Sequence, residues 1–284
     1  VTLDDQSPPV VTAPAATTVA ATDANGTAKT DAAIVAFLDS VSALDNVDGA
    51  ISGSQIGNDA PDVFPIGETT VTFSIMDTSS LEGTATAVLT VADQSAPVLS
   101  APAAITVSAT DADGTAATNS AIAAFLVGAS ATDNVDTEVT ITNDGLSVFP
   151  LGETTVTFSA TDAAGNTGTA SATVTVKDQT APELAAPANA AVAATDADGT
   201  AATDAALVTW MASAVATDNV DSSVTITNDA PITFPLGATV VTFTVTDAAG
   251  NTSTATATAT ITDTTAPVID APATFVVLGT EAGL

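Results

Sequence analysis

From Phe149 to Asn166 the chain alternates apolar and polar positions, F-P-L-G-E-T-T-V-T-F-S-A-T-D-A-A-G-N. Pro-x-Gly makes a corner, the alternating Val, Thr and Phe make a half-buried strand, and Asp-Ala-Ala-Gly-Asn makes a tight turn. The same phrase stands at Phe234–Asn251 and, with an altered ending, at Phe64–Leu81. Phe64, Phe149 and Phe234 follow one another at intervals of 85 residues. A fixed period of this size divides the chain into units at 4–92, 93–177 and 178–262. Residues 1–3 read as the end of a preceding unit and 263–284 as the opening of another, so the sequence reads as an excerpt of a longer array. Asp45 to Phe64 spans 19 positions against 16 from Asp133 to Phe149, which predicts a loop or hairpin added to the first unit alone.

Within the second unit the pattern predicts short strands near 97–100, 104–110, 139–142, 154–161 and 169–176. Ile122, Phe125 and Leu126 stand at i, i+3 and i+4, which predicts a helix near 119–127 with Thr118 or Asn119 as its N-cap. Ile34, Phe37 and Leu38 predict its counterpart near 31–39, and Leu207, Trp210 and Met211 another near 204–212. About two turns of helix need tertiary packing to persist. Seven or so short strands in about 85 residues, with turn signals every 8–12, predict a mainly β protein of tandem immunoglobulin-like β-sandwich repeats, each with one short helical insertion.

The motifs D-Q-T-A-P, D-N-V-D, F-P-L-G-x-T-x-V-T-F and T-D-A-A-G-N-T cover nearly all of each unit, and by them the chain resembles the hyalin repeat (HYR) family of extracellular immunoglobulin-like modules. The resemblance implies a tandem spacer or adhesion module and brings no catalytic residue. The Asp-Ala-Asp-Gly segment and its helix are longer than the family pattern.

Charge sharpens this picture. The chain has 2 Lys and Arg against 33 Asp and Glu, a formal net charge of -31, with no His and no Cys. So acidic a surface cannot neutralise phosphates and is repelled by anionic membranes, which leaves nucleic acid and direct membrane insertion out as partners. No apolar run is long enough to span a bilayer. Without Cys there are no disulfide staples. The missing His, Cys and Tyr remove the usual bases and nucleophiles, which argues against an enzyme.

The acids fall in turns. If the sandwich strands simply alternate in direction, the N-terminus, the B–C connection and the F–G turn share one pole. That places Asp93, Asp111, Asp113, Asp133, Asp136, Asp162 and Asn166 together in the second unit. Asp178, Asp196, Asp198, Asp218, Asp221, Asp247 and Asn251 match them in the third. The first offers Asp4 or Asp5, then Asp23, Asn25, Asp45, Asp48 and Asp77, and Asp263 opens the next. Asp and Asn also serve as ordinary turn residues. Many carboxylates at one pole without Lys or Arg nevertheless suit Ca²⁺, which takes 6–8 oxygen ligands, and the Gly of Asp-x-Asp-Gly would give such a loop its sharp turn. Ser80 and Leu81 replace the Gly-Asn pair of the other copies, so the first pole loses an amide ligand and is expected to bind more weakly.

Two functions compete. One is a rod-forming spacer of a bacterial surface adhesin, matrix fibre or biofilm matrix, with Ca²⁺ locking each junction and neighbouring repeats, or other copies in a fibre, as partners. The other is a glycan- or surface-binding adhesion module. Trp210, the single Trp, has the helical spacing of a core residue rather than of a sugar platform. The Thr-Ala alternation from Thr254 to Thr260 reads as a strand with Thr outward and Ala inward, rather than as an ice-binding ladder.

Overall fold

The structure, a computed structural model, describes residues 5–271. Residues 1–3, read as the remnant of a preceding unit, lie outside them, as do 272–284 of the opening of a further one. The chain forms two compact units, residues 1–107 with 114–177, and 108–113 with 178–284.

Each phrase becomes a long hairpin. In the first repeat, β1 (Val10–Thr12), β2 (Thr17–Ala20) and β3 (Thr27–Ala28) precede helix α1 (Ala32–Asp39). Then come β4 (Ser42–Asp45), β5 (Gly49–Ile51), a 3₁₀ turn at Gly53–Gln55, β6 (Gly57–Asn58), β7 (Val63–Phe64), β8 (Gly67–Met76) and β9 (Glu82–Ala92). One sheet has the order β2-β9-β8-β6; the other, β1-β4-β5, faces it as β1 packs on β8 and β9. The second and third repeats keep the four-stranded sheet, centred on the hairpins Gly152–Lys177 and Gly237–Thr262, and have a second sheet of two strands, without a counterpart of β5 among the described residues. The protein is thus mainly β, a tandem array of immunoglobulin-like sandwiches.

Period-2 patterning puts the apolar side inward. Val71, Phe73, Leu89 and Val91 from β8 and β9 are buried with Phe64 of the Phe-Pro corner. In the third repeat the Thr residues of Thr252–Thr262 turn outward while Ala257, Ala259 and Ile261 are buried, as expected from the alternation. The helix closes one flank of each core. It starts at Asp31, Asn119 or Asp204, whose side chain accepts the backbone N–H two residues on and so satisfies a first-turn donor. Ile34, Phe37 and Leu38 are buried, as are Ile122 and Phe125, and Leu207 and Trp210. Edge-to-face pairs tie helix to sheet: Phe37–Phe73 at 6.3 Å, Phe125–Phe158 at 5.7 Å and Trp210–Phe243 at 5.9 Å. Trp210 donates its indole N–H to the Ala188 carbonyl at 2.7 Å, so both ends of the side chain are satisfied within the fold. The added length of the first repeat falls where β5 and the 3₁₀ turn lie, and β5 pairs with β4, Asp45 opposite Gly49.

One feature of the topology departs from simple alternation. Strand β2 lies parallel to β9, with Thr17 opposite Leu89 and Ala20 opposite Ala92; Ala190–Ala193 pairs in the same way with Ala259–Thr262. The chain therefore leaves β2 at the end where it leaves β9, opposite the pole that holds the Asp77 turn.

Candidate metal centre

Three turns meet at the entry pole of every repeat, each built on an aspartate that commits one oxygen to its own loop. In the linker, Oδ1 of Asp5, Asp93 and Asp178 accepts the amide two residues on, from Ser7 (3.1 Å), Ser95 (3.0 Å) and Thr180 (3.1 Å). In Asp-Asn-Val-Asp the first Asp gathers two amides on Oδ1. Asp45 takes Val47 and Asp48, both at 2.8 Å, and Asp133 and Asp218 repeat the pattern. The last Asp of that motif reaches the third turn. Asp48 accepts the amide and hydroxyl of Thr78, each at 2.9 Å, while Asp136 and Asp221 accept the amides of Ala163 (2.9 Å) and Ala248 (2.7 Å). In the third turn, Oδ1 of Asp77, Asp162 and Asp247 accepts the amides of Leu81 (2.8 Å), Asn166 (2.7 Å) and Asn251 (2.7 Å).

This wiring gathers three carboxylates per pole: Asp5, Asp45 and Asp77; Asp93, Asp136 and Asp162; Asp178, Asp218 and Asp247. In each triple the nearest oxygens lie within 4.8 Å of one another. The oxygens not used by the loops are buried without a partner at Oδ2 of Asp5, Asp45, Asp77, Asp93, Asp133, Asp178 and Asp218. Asp45 and Asp77 are only 3% and 9% exposed. Two carboxylates at about 4 Å repel by about 1 kcal/mol in water and about 4 kcal/mol at an effective dielectric of about 20. Buried polar atoms are ordinarily satisfied, so seven bare oxygens in the same structural positions need a common explanation. A donor set made only of hard oxygens, convergent and desolvated, fits a hard dication such as Ca²⁺.

The clusters also hold their charge. The amides of Asp48 and Val47 keep the Asp45 carboxyl below its usual range, against the burial that would raise it. Burial pushes Asp162 and Asp247 upward, but hydrogen bonds from the side chain and backbone of Asn166 and Asn251 outweigh it and both end below the ordinary value. The Asn amides act as donors here. Nδ2 of Asn166 gives to Oδ2 of Asp162 and Nδ2 of Asn251 to Oδ2 of Asp247, both at 2.8 Å.

The Asp-x-Asx-Gly turns are not at these poles. Because β2 runs parallel to β9, Asp23 and Asn25 sit at the exit end of the first repeat, and Asp196 and Asp198 at that of the third. Asp111 and Asp113 belong to segment 108–113, which joins the second compact unit, whereas Asp93, Asp136 and Asp162 lie in the first. Their Gly has a packing reason. At Gly26, Gly114 and Gly199, φ is 114°, 115° and 122°, and a Cβ would collide with the carbonyl oxygen of Phe64, Phe149 or Phe234 at the Phe-Pro corner. Asp196 instead shares a shallow groove of about 450 Å³ with Asp263, Leu236 and Pro267. These acids border the junction that follows their repeat.

One role has no signal in the sequence. Asn134 donates its amide to the carbonyls of Ala21 (3.1 Å) and Thr22 (3.4 Å), and Asn219 does the same to Ala109 and Thr110. The middle of Asp-Asn-Val-Asp thus docks on the exit loop after β2. Of the alternatives Asp4 or Asp5, Asp5 joins the cluster, and Asp4 lies outside the described residues. The shared D-Q-S/T spacing, at Asp5, Asp93 and Asp178, carried that signal.

Tandem sandwiches with an acidic entry pole define a class of repeat proteins, and two HYR domain matches, at residues 93–176 and 177–261, cover more than half of this chain. The chain belongs to the HYR domain family. It is 32% identical to hyalin of Lytechinus variegatus over 87% of its length, and 31% identical to hyalin of Strongylocentrotus purpuratus over 98%. The chain spans 47% and 23% of those relatives' own length. Among solved structures it resembles the protocadherin gamma B2 extracellular cadherin domains 3–6, at 13% identity over 90% of this chain and 73% of that one, with a TM-score of 0.35. Both hyalins are from sea urchins and lend no support to the bacterial source expected from the sequence.

Proposed function

We propose that this chain is a non-enzymatic spacer of a large extracellular adhesion or matrix protein, and that Ca²⁺ at the entry pole of each repeat stiffens the array. The units would be those read from the period, 4–92, 93–177 and 178–262. The observation that carries the reading is the set of bare, buried carboxylate oxygens in which a linker residue (Asp5, Asp93 or Asp178) meets the body of the repeat that follows. An ion held there ties linker to body. Removing it leaves like charges that push the two apart.

The ligands nearest to hand are the three triples, with Asp48, Asp133 and Asp221 in the same turns. Asp23, Asn25, Asp111, Asp113, Asp196, Asp198 and Asp263 would act from the exit side of the junction. The ion would also reinforce docking such as that of Asn134 on Ala21. For the rival adhesion reading, the one Trp offers no aromatic platform, since it is 7% exposed.

Binding only the ordered state stabilises by RT ln(1 + [L]/Kd), about 2.7 kcal/mol at a hundredfold excess over Kd. Small-angle scattering and thermal melting of the whole chain, with Ca²⁺ and with chelator, test the proposal. Chelation should lower the melting temperature and broaden the range of interdomain geometry, and NaCl should restore little, because screening supplies no ligands. Identical scattering and melting in both conditions would reduce the aspartates to solvated turns.

A further inference from the structure

The three poles differ at the residue that closes the third turn, Leu81, Asn166 or Asn251. In the second and third repeats both oxygens of the turn aspartate are occupied. Asp162 Oδ1 accepts the Asn166 backbone amide at 2.7 Å and Oδ2 the Asn166 side-chain amide at 2.8 Å, and Asp247 is held identically by Asn251. In the first repeat Leu81 stands at that position and has no side-chain amide to give. Asp77 Oδ1 takes the backbone amides of Ser79 and Leu81, both at 2.8 Å, while Oδ2 is buried and bare. The first pole therefore holds three unpartnered buried oxygens, on Asp5, Asp45 and Asp77, whose carboxylates approach one another within 4.8 Å. The other poles have two each, from Asp93 and Asp133, and from Asp178 and Asp218.

We propose that the residue closing this turn sets the cation affinity of each pole, so that the first repeat, closed by Leu81, binds Ca²⁺ more tightly than the repeats closed by Asn166 and Asn251. The proposal rests on the cation reading above and reverses the order expected when Asn is counted as a ligand. The physical reason is competition. An ion approaching Asp162 or Asp247 must displace an N–H donor or share an oxygen with it, and a hydrogen bond to a charged group is among the stronger ones. At Asp77 there is nothing to displace, and ion binding relieves an unsatisfied buried charge. The Asn is thus a built-in partial counter-charge: it makes an ion-free pole tolerable and weakens the pole for the ion. An array with both kinds of turn would stiffen in stages as Ca²⁺ rises.

Calorimetric titration of the full chain with Ca²⁺ tests this. Wild type should show one site about tenfold tighter than the other two, the scale set by one charged hydrogen bond. Asp45→Asn should remove the tight site and Asp218→Asn one of the weaker ones. The double variant Ser80→Gly with Leu81→Asn copies the turn of the sister repeats and should merge all three sites into one class; Asn251→Leu should create a second tight site. Circular dichroism of each variant checks that it is folded. Three equal wild-type sites, or a first site weaker than the others, overturn this proposal while the cation reading stands. No heat and no chelator-sensitive melting in wild type overturn both.

Discussion

The first and third repeats carry the same phrase and the same strand order, yet they close their cores differently. In the first, the extra residues raise a hairpin and a 3₁₀ turn over the flank of the helix, and Leu38, Val41 and Ile56 fall to 8%, 4% and 6% exposure. In the third, no such cover stands among the described residues. Their counterparts Met211, Ala214 and Ile226 stay half-buried around a shallow groove of about 480 Å³. A few inserted residues thus complete a core that the shared phrase leaves ajar. The second difference is the acidic turn, where Ser80 and Leu81 stand for Gly250 and Asn251. The repeats therefore share a scaffold while differing in local stability and in charge compensation.

The largest expected effect tests the closed flank. Ile56→Ala should cost the first repeat about 3 kcal/mol, within the range for large-to-small changes in a packed core. Ile226→Ala, which removes the equivalent side chain from a half-open site, should cost the third about 1 kcal/mol. Native-state hydrogen exchange reads each repeat separately, where a melting curve of several repeats does not resolve them. Equal losses in the two repeats would mean that the insertion covers the flank without packing on it.

How far the sequence disclosed this architecture follows from the range of the interactions. The helices at Ala32–Asp39, Ser120–Leu126 and Ala205–Met211 were legible because their apolar spacing and caps are local, and the long hairpins because alternation and turn chemistry agree. The burial of Trp210 was legible from the same spacing. The place of Asp23, Asp111 and Asp196 was not. It depends on β2 running parallel to β9, a pairing between segments about 70 residues apart that no local pattern encodes. The Gly that follows these acids looked like part of an ion loop, whereas it makes room for the Phe-Pro corner. The direction of the Asn166 amide was equally hidden, because composition counts an amide as oxygen or nitrogen alike.

A smaller effect separates the turns themselves. Ser80 has φ 63° where Gly165 and Gly250 have 92°, so the first repeat alone holds a side chain in the left-handed region. That conformation costs a non-Gly residue about 1 kcal/mol or a little more. Ser80→Gly should accordingly slow exchange in the adjoining ends of β8 and β9 by about fivefold, whereas Gly250→Ser should speed it in the third repeat. Opposite signs are the expected outcome. Matching signs would mean that the turn is set by contacts other than its own backbone.

The smallest effect concerns a feature on which the repeats agree. Asp59, Asp144 and Asp229 each accept a strand amide at 2.7 Å, from Thr72, Thr157 and Thr242, and none belongs to an acidic triple. The Thr72 amide, followed by its hydroxyl, holds the Asp59 carboxyl below its ordinary value of 3.8. A carboxylate whose folded-state pKa is depressed adds stability that is fully present above the unfolded pKa and is lost as pH falls through the folded one. In Asp59→Asn the acceptor oxygen remains and the titration is gone. At neutral pH the variant should be slightly less protected in the first repeat, because a neutral acceptor is weaker than an ionised one. Below about pH 4 wild type loses its advantage and the two should converge, with chelator present throughout so that the ion sites do not contribute. Since Asp59 is exposed, the gap at neutral pH is small and salt should narrow it. A gap of constant size from pH 7 to pH 3 would show that Asp59 acts by shape alone. If instead the gap tracks Ca²⁺ rather than pH, Asp59 is coupled to the pole, and the separation between scaffold acids and ion acids drawn from the structure fails.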